Sequence, residues 1–127
     1  MSEVQLFCKK DQDFTLGDLN ATVNALVNVG NSSTLGGGIG VFGAGLNMEW
    51  TVTYDEILFI HDGQFELQVG DVKYQAGPGD VLWIPAGTAL IYQAEKDVTF
   101  FYAVSPVDNS PSTQNALEFT TTAPVPA

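Results

Sequence analysis

The sequence predicts an all-β fold, either a sandwich or a barrel. Short runs of alternating apolar and polar residues recur at a spacing of roughly 8–12 residues, with turn residues between them. Asp62-Gly63 and Gly70-Asp71 are dipeptides that favour tight turns between strands. Many of the 13 glycines lie within residues 36–45, a density typical of strands that bend or approach another backbone closely.

The strands can be assigned in chain order. Residues 22–29, in which valine and alanine alternate with asparagine and threonine, favour a first strand, and the glycine-rich residues 36–45 favour a second. Residues 50–60 are predicted to be one strand, which Asp62-Gly63 joins as a two-residue hairpin to its return strand. That return strand and the later ones are expected at residues 64–69, 72–75, 81–84, 88–93 and 98–104.

A chain of 127 residues is expected to form one domain. We expect residues 1–35 to be an N-terminal segment packing on the barrel and residues 36–106 to be the barrel core. Residues 107–127 are rich in Ser, Thr, Asn and Pro, which predicts an extended or disordered tail. No apolar run is long enough to cross a membrane, and the N-terminus lacks the order of a signal peptide. The single cysteine, Cys8, indicates a reducing cytoplasm.

The charge of the chain narrows the classes of partner. Fifteen acidic residues face four lysines and no arginine, which gives a net charge of −11. Nucleic acid and anionic lipid repel such a chain, so we expect neither as a partner. Nucleotides and sugar phosphates are disfavoured because their recognition relies on the bidentate guanidinium group. We expect a small polar organic ligand.

Two motifs within residues 36–106 resemble those of a cupin, a small double-stranded β-helix barrel of the jelly-roll type. The first is Tyr54-Asp55-Glu56, which follows the glycine-rich strand and leads into residues 60–63. The second, GPGDVLWIPAG at residues 77–87, is the more specific. Among RmlC-like cupins, these segments look most like the EutQ-type cupins of ethanolamine utilisation. The resemblance implies a role in ethanolamine metabolism and an acetate kinase activity, although the lack of arginine disfavours phosphoryl transfer.

The sequence departs from metal-binding cupins at the metal ligands. Those cupins carry His-x-His three or four residues before the glutamate and a further histidine after the second motif. Of the four ligands, only Glu56 is present in this chain. We therefore expect no three-histidine metal site and no cofactor, while a metal bound by oxygen ligands stays open. The residues at the histidine positions are Trp50 and Val52, or Glu49 and Thr51, and then Leu90.

Glu56 is the residue around which a site is expected, because alternation places it on a mostly apolar face. Without arginine, its carboxylate could accept hydrogen bonds from tyrosine hydroxyls, bind a metal, pair with Lys73, or take up a proton. Burial favours the last outcome because desolvation raises a carboxyl pKa. A glutamate of raised pKa beside a tyrosine suits general acid/base chemistry. Glu56 and Tyr54 are thus the expected catalytic residues, with Tyr54 as the local partner.

Further residues are assigned by the same alternation. His61, the only histidine, is expected at a solvated turn on the opposite face. Ile57 and Phe59 on the outward face predict a homodimer, unless the N-terminal segment covers them. Trp83 and Phe100 are weaker candidates for the ligand pocket. The expected pocket residues are Trp50, Val52, Leu90, Tyr92 and Tyr102.

Two classes of function fit these features. The first is a EutQ-like cupin that binds a small molecule and acts as a lyase or isomerase, with Glu56 and Tyr54 as acid and base and without the three-histidine metal site. The second is a non-catalytic binding or assembly protein that has lost the metal site. The fold alone does not choose between them.

Overall fold

The computed structural model describes residues 4–18 and 20–107 of the chain. In this part of the chain, nine strands form two antiparallel sheets, preceded by one turn of 3-10 helix at Lys9–Asp11. The five-stranded sheet has the order β1-β2-β9-β4-β7 and the four-stranded sheet the order β3-β8-β5-β6. The strands are β1 (Ala21–Val27), β2 (Gly36–Phe42), β3 (Asn47–Thr51), β4 (Asp55–Asp62), β5 (Phe65–Val69), β6 (Val72–Ala76), β7 (Val81–Ile84), β8 (Ala89–Gln93) and β9 (Val98–Ser105).

The all-β prediction is confirmed, and most predicted strands are found within one or two residues of their expected ends. β1 is an edge strand of the five-stranded sheet and pairs with β2. Part of residues 1–35 is therefore built into the sheet. At the other end, Val107 is buried and its N–H donates to the Thr34 carbonyl at 3.0 Å. The rest of the predicted tail, residues 108–127, lies outside the described residues. No described helix is long and apolar enough to span a bilayer.

The prediction of one strand over residues 50–60 is wrong. β3 ends at Thr51 in the four-stranded sheet, and β4 begins at Asp55 in the five-stranded sheet. The chain crosses from one sheet to the other over the three residues between them. Even-numbered side chains nevertheless point into the core in both strands and in the crossing between them. The buried set is Trp50, Val52, Tyr54, Glu56, Leu58 and Ile60.

The predicted hairpin at Asp62-Gly63 is also wrong, since β4 and β5 belong to different sheets. Gly63 has a φ of 89°, so the local turn is present, but it carries the chain across the sandwich. The dipeptide Gly70-Asp71 does form a hairpin, in which Val69 pairs with Val72. A turn dipeptide predicts a change of direction, whereas the pairing of the flanking strands depends on contacts distant in sequence.

The core lies between the inward faces of the two sheets. Its centre is a group of rings in which Phe42 and Phe100 have centroids 4.8 Å apart and Phe65 and Phe100 5.1 Å apart. The glycine-rich strand β2 passes directly over this group. A β-carbon at Gly40 would overlap the Phe100 ring. The close approach of another backbone, expected from the glycine density, is confirmed at Gly38, where a β-carbon would overlap the Asn24 carbonyl of β1.

Candidate functional site

Strand β4 places Glu56 inside the sandwich, between Ile84 of β7 and Val104 of β9 in the sheet register. Glu56 is only 7% exposed. Tyr92 approaches from β8 in the opposite sheet, and its hydroxyl donates to Glu56 Oε1 at 2.8 Å. This buried hydrogen bond therefore joins the two sheets across the core.

Tyr54, the partner expected from sequence, is not the donor to Glu56. It lies in the crossing between β3 and β4, where its hydroxyl accepts a hydrogen bond from Trp50 Nε1 at 3.2 Å. Tyr92 is 36 residues from Glu56 in sequence and reaches it because β8 faces β4 across the core. Proximity in sequence favoured Tyr54, and only the packing of the two sheets identifies Tyr92.

Burial controls the protonation of this site. Desolvation raises the pKa of Glu56 from 4.5 to about 7, and the hydrogen bond from Tyr92 opposes the rise. The pKa values of Tyr54, Tyr92 and Tyr102 are raised well above their usual range, first by burial and then by the negative charge of Glu56. The tyrosines therefore stay protonated near neutral pH, where Glu56 exists in both forms.

A small cavity lies beside the Glu56 carboxylate. Its volume is about 30 Å³, whereas one water molecule needs roughly 10–15 Å³. The cavity thus has room for about two water molecules. Five residues assigned from the sequence line it: Trp50, Tyr54, Glu56, Tyr92 and Tyr102.

The cavity differs from the predicted pocket in several members. Val52 and Leu90 are buried but do not line it. Trp83 is exposed on the outer face of β7, whereas Phe100 is part of the wall. Phe100, a weaker candidate in the sequence, owes its place in the wall to the inward parity of β9, whereas nothing local marked the residues that β1 and β2 supply. Leu58 and Val104 also line the wall and share the inward parity of Glu56 and Tyr102, whereas Val23 and Phe42 were not predicted from the sequence.

The residues beside Glu56 do not fit the three-histidine site of metal-binding cupins. Among the described residues, no group of three or more His, Cys, Asp and Glu side chains could hold a metal ion. His61 is exposed on the outward face of β4, as expected. Lys73 lies on β6 opposite Gln68 and is not part of the cavity wall. The oxygen ligands that the cavity could offer a metal come from one carboxylate and three tyrosine hydroxyls.

The sequence pattern of the family described as "Ethanolamine utilisation protein EutQ" matches residues 4–111. The chain belongs to the EutQ family. A curated relative, "Acetate kinase EutQ" of Clostridioides difficile (strain 630), is 30% identical over 60 residues, which are 47% of this chain and 38% of that protein. The EutQ-family chain thus aligns with well under half of that relative's length.

Solved structures confirm the cupin fold of this EutQ-family chain. A putative ethanolamine utilization protein from Salmonella typhimurium LT2 superimposes with a TM-score of 0.75 at 23% identity, over 83% of this chain and 88% of that one. An RmlC-like cupin from Shewanella frigidimarina NCIMB 400 gives a TM-score of 0.71 at 12% identity, over 84% and 95% of the two chains. At these identities the likeness shows the fold alone.

Proposed function

We propose that this EutQ-family protein binds a small polar molecule within its barrel and that Glu56 exchanges a proton with it. The observation that carries the proposal is the buried Glu56 carboxylate, held by Tyr92 and bordering a cavity. A carboxyl group whose pKa is about 7 can both accept and donate a proton near neutral pH. Such a group suits lyase or isomerase chemistry, in which one proton is removed and a proton is returned elsewhere.

Tyr54 is the proposed hydrogen-bond donor to the ligand. Its raised pKa keeps it protonated, and its hydroxyl oxygen is already oriented by Trp50. In a reaction beside a carbonyl, Glu56 would take the proton from carbon, and the electron pair would move onto the carbonyl oxygen. A donated hydrogen bond from Tyr54 would stabilise the negative charge on that oxygen. Return of the proton to another carbon gives isomerisation, and loss of a leaving group gives elimination.

The size of the cavity limits the ligand. Space for about two water molecules restricts the ligand to the smallest size range of organic molecules. Small amines, aldehydes and carboxylic acids fall in this range, and the family's name refers to one such amine, ethanolamine. A carboxylic acid requires protonated Glu56, whereas an amine pairs with the ionised form.

We place this chemistry in the cytoplasm, in keeping with the half-buried free thiol of Cys8.

Phosphoryl transfer is a weaker candidate, although the curated relative is named an acetate kinase. Such transfer depends on cationic groups around the phosphates. The sequence has no arginine, and no lysine lies in the cavity wall.

The tightness of the cavity favours a second function, that of a non-catalytic binding or assembly protein. Ligand sites generally occupy roughly 300–1,000 Å³, and the cavity at Glu56 has about 30 Å³. In this alternative, Glu56 and its tyrosines bind a ligand or water without turnover.

A ligand screen by thermal unfolding tests the proposal, with small amines, aldehydes and carboxylic acids as probes. At least one probe should raise the Tm of the native protein and lose that effect in Glu56→Gln. Glu66→Gln is the matched control, because Glu66 is also buried but does not line the cavity. This control should respond to the probe as the native protein does. If no probe distinguishes the native protein from Glu56→Gln, a ligand role for Glu56 is wrong.

An assay for turnover separates the proposed acid/base enzyme from the non-catalytic binding protein. A probe that binds should be incubated with the protein in deuterated water and examined by NMR. Exchange of a carbon-bound proton that Glu56→Gln abolishes supports acid/base catalysis. Binding without exchange or product supports the non-catalytic function.

A further inference from the structure

The three tyrosines of the cavity wall use their hydroxyl groups differently. The Tyr92 hydroxyl donates to Glu56, and the Tyr54 hydroxyl accepts from Trp50. Tyr102 lines the same wall from β9 and is only 6% exposed. Its hydroxyl nevertheless makes no hydrogen bond to any residue that the structure describes. Tyr102 is therefore a buried polar side chain that the fold itself does not use.

Two hydroxyl protons in the wall have no acceptor among the described residues. A tyrosine hydroxyl can donate one hydrogen bond while its oxygen accepts others. The bond that Tyr54 accepts leaves its own proton unused, and the Tyr102 proton is unused as well. Buried polar groups are as a rule hydrogen-bonded, and leaving one unpaired costs free energy. These two protons are therefore available to an acceptor atom on a ligand in the cavity.

Both tyrosines lie close enough to the Glu56 carboxylate to interact with its charge. Tyr102 pairs with Leu58, two residues beyond Glu56 on β4, and so projects from the neighbouring strand. Burial is the main cause of the raised pKa values of Tyr54 and Tyr102, and the charge of Glu56 raises both further. All three groups line the same small cavity, so a single small ligand can contact all three.

We propose that Tyr102 and Tyr54 together bind one oxygen atom of the ligand, and that the ligand is a small neutral carbonyl compound. A carbonyl oxygen has two lone pairs and can accept a hydrogen bond from each hydroxyl. An ammonium group offers only donors, so it would leave both hydroxyl protons unpaired. A carboxylate would bring a second negative charge beside ionised Glu56, which disfavours the charged form of both groups.

The role of Tyr102 rests on the proposed ligand role of Glu56 and narrows the ligand from amines, aldehydes and carboxylic acids to neutral carbonyl compounds. In the proposed acid/base reaction, negative charge develops on the carbonyl oxygen. Two donors aimed at that oxygen stabilise the charge better than Tyr54 alone. Tyr92 has a different part, because its hydrogen bond holds the Glu56 carboxylate in place.

Thermal unfolding with two probes of similar size tests the proposal on the full chain. Acetamide carries a neutral carbonyl group, whereas ethylamine carries an ammonium group at neutral pH. Acetamide should raise the Tm of the native protein, and ethylamine should not. Tyr102→Phe should weaken acetamide binding by about tenfold or more, as expected for loss of one hydrogen bond. Tyr74→Phe is the matched control, because Tyr74 is exposed on β6 outside the cavity wall, and it should respond as the native protein does.

The Tm without a probe separates ligand binding from a structural role of Tyr102. Tyr102→Phe should keep or raise the Tm, because it removes a buried hydroxyl that has no partner in the fold. Tyr92→Phe should lower the Tm near neutral pH, because Glu56 Oε1 loses its donor.

The outcomes distinguish this proposal from the ligand role of Glu56. Stabilisation by ethylamine but not by acetamide, lost in Glu56→Gln, would overturn the carbonyl proposal and leave the role of Glu56 intact. An acetamide response that is undiminished in Tyr102→Phe would do the same, as would a Tm of Tyr102→Phe that falls as far as that of Tyr92→Phe. The absence of a response to either probe that depends on Glu56 would overturn both.

Discussion

Glu56 and Glu66 are both buried glutamates, but strand parity gives them different surroundings. Glu66 points to the outer side of its sheet, where Gln75 Nε2 donates to its carboxylate at 3.1 Å. Glu56 points into the aromatic core and receives its hydrogen bond from Tyr92. A buried carboxylate is stable only where donors replace its lost hydration. Glu56 has the hydrogen bond from Tyr92 but lies among aromatic rings, and the resulting rise in its pKa suits it to proton transfer.

The raised pKa of Glu56 makes stability depend on pH in a definite direction. The native pKa is about 7 and the ordinary value is 4.5. Between these values the native state holds the proton that the unfolded state has lost. The stabilising contribution is therefore complete below pH 4.5 and is lost as pH rises through 7. A shift of this size corresponds to about 3 kcal/mol.

Glu56→Gln should remove this dependence. The variant should resemble the native protein in free energy of unfolding at low pH and exceed it by up to about 3 kcal/mol above neutral pH. Urea unfolding across the pH range provides the measurement. Glu66→Gln should retain the native fall in stability attributable to Glu56. A constant difference between Glu56→Gln and native protein at every pH would contradict the burial argument.

At the scale of the element, the packing of β2 depends on glycines, because there is no room for a side chain at Gly40. Gly40→Ala should destabilise the protein by about 1–3 kcal/mol, because its methyl group would overlap the Phe100 ring in a packed core. Gly77→Ala is a suitable control, since a β-carbon there meets no atom within 4 Å. The free energies of unfolding in urea should separate the two variants. Equal values would show that the sheet yields at Gly40 without cost.

The strands also show which features of the fold can be predicted from local sequence. Alternation correctly assigned the inward parity of residues 50–60, because a side chain's face depends on its own backbone. It could not show that β3 and β4 lie in different sheets, since pairing is decided by residues far away in the chain. The donor to Glu56 escaped prediction for the same reason. The parts of the site predicted from sequence were its centre and most of its aromatic wall.

At the scale of the whole molecule, net charge opposes the homodimer predicted from the exposed apolar side chains of the five-stranded sheet. These side chains, which form an uncharged patch, are Ile57, Phe59, Val81, Trp83 and Phe101. Two chains that each carry a charge of −11 repel at long range, while their uncharged patches attract at contact. Salt screens the repulsion and leaves apolar burial intact, since the Debye length falls to about 8 Å at physiological ionic strength. Raising sodium chloride from low to physiological concentration should therefore strengthen self-association. Sedimentation equilibrium at several salt concentrations measures the effect, and weaker association at higher salt would indicate an interface held by ion pairs.

The hydrogen bond between Tyr92 and Glu56 links the two sheets, so the protonation of Glu56 affects how strongly they are held together at this point. When Glu56 is ionised, the bond is charge-assisted and tighter, and the surrounding core bears the cost of a buried charge. When Glu56 is protonated, the hydrogen bond is weaker and the cost of the buried charge disappears. Ionisation of Glu56 therefore strengthens this one link between the sheets while it lowers the stability of the fold.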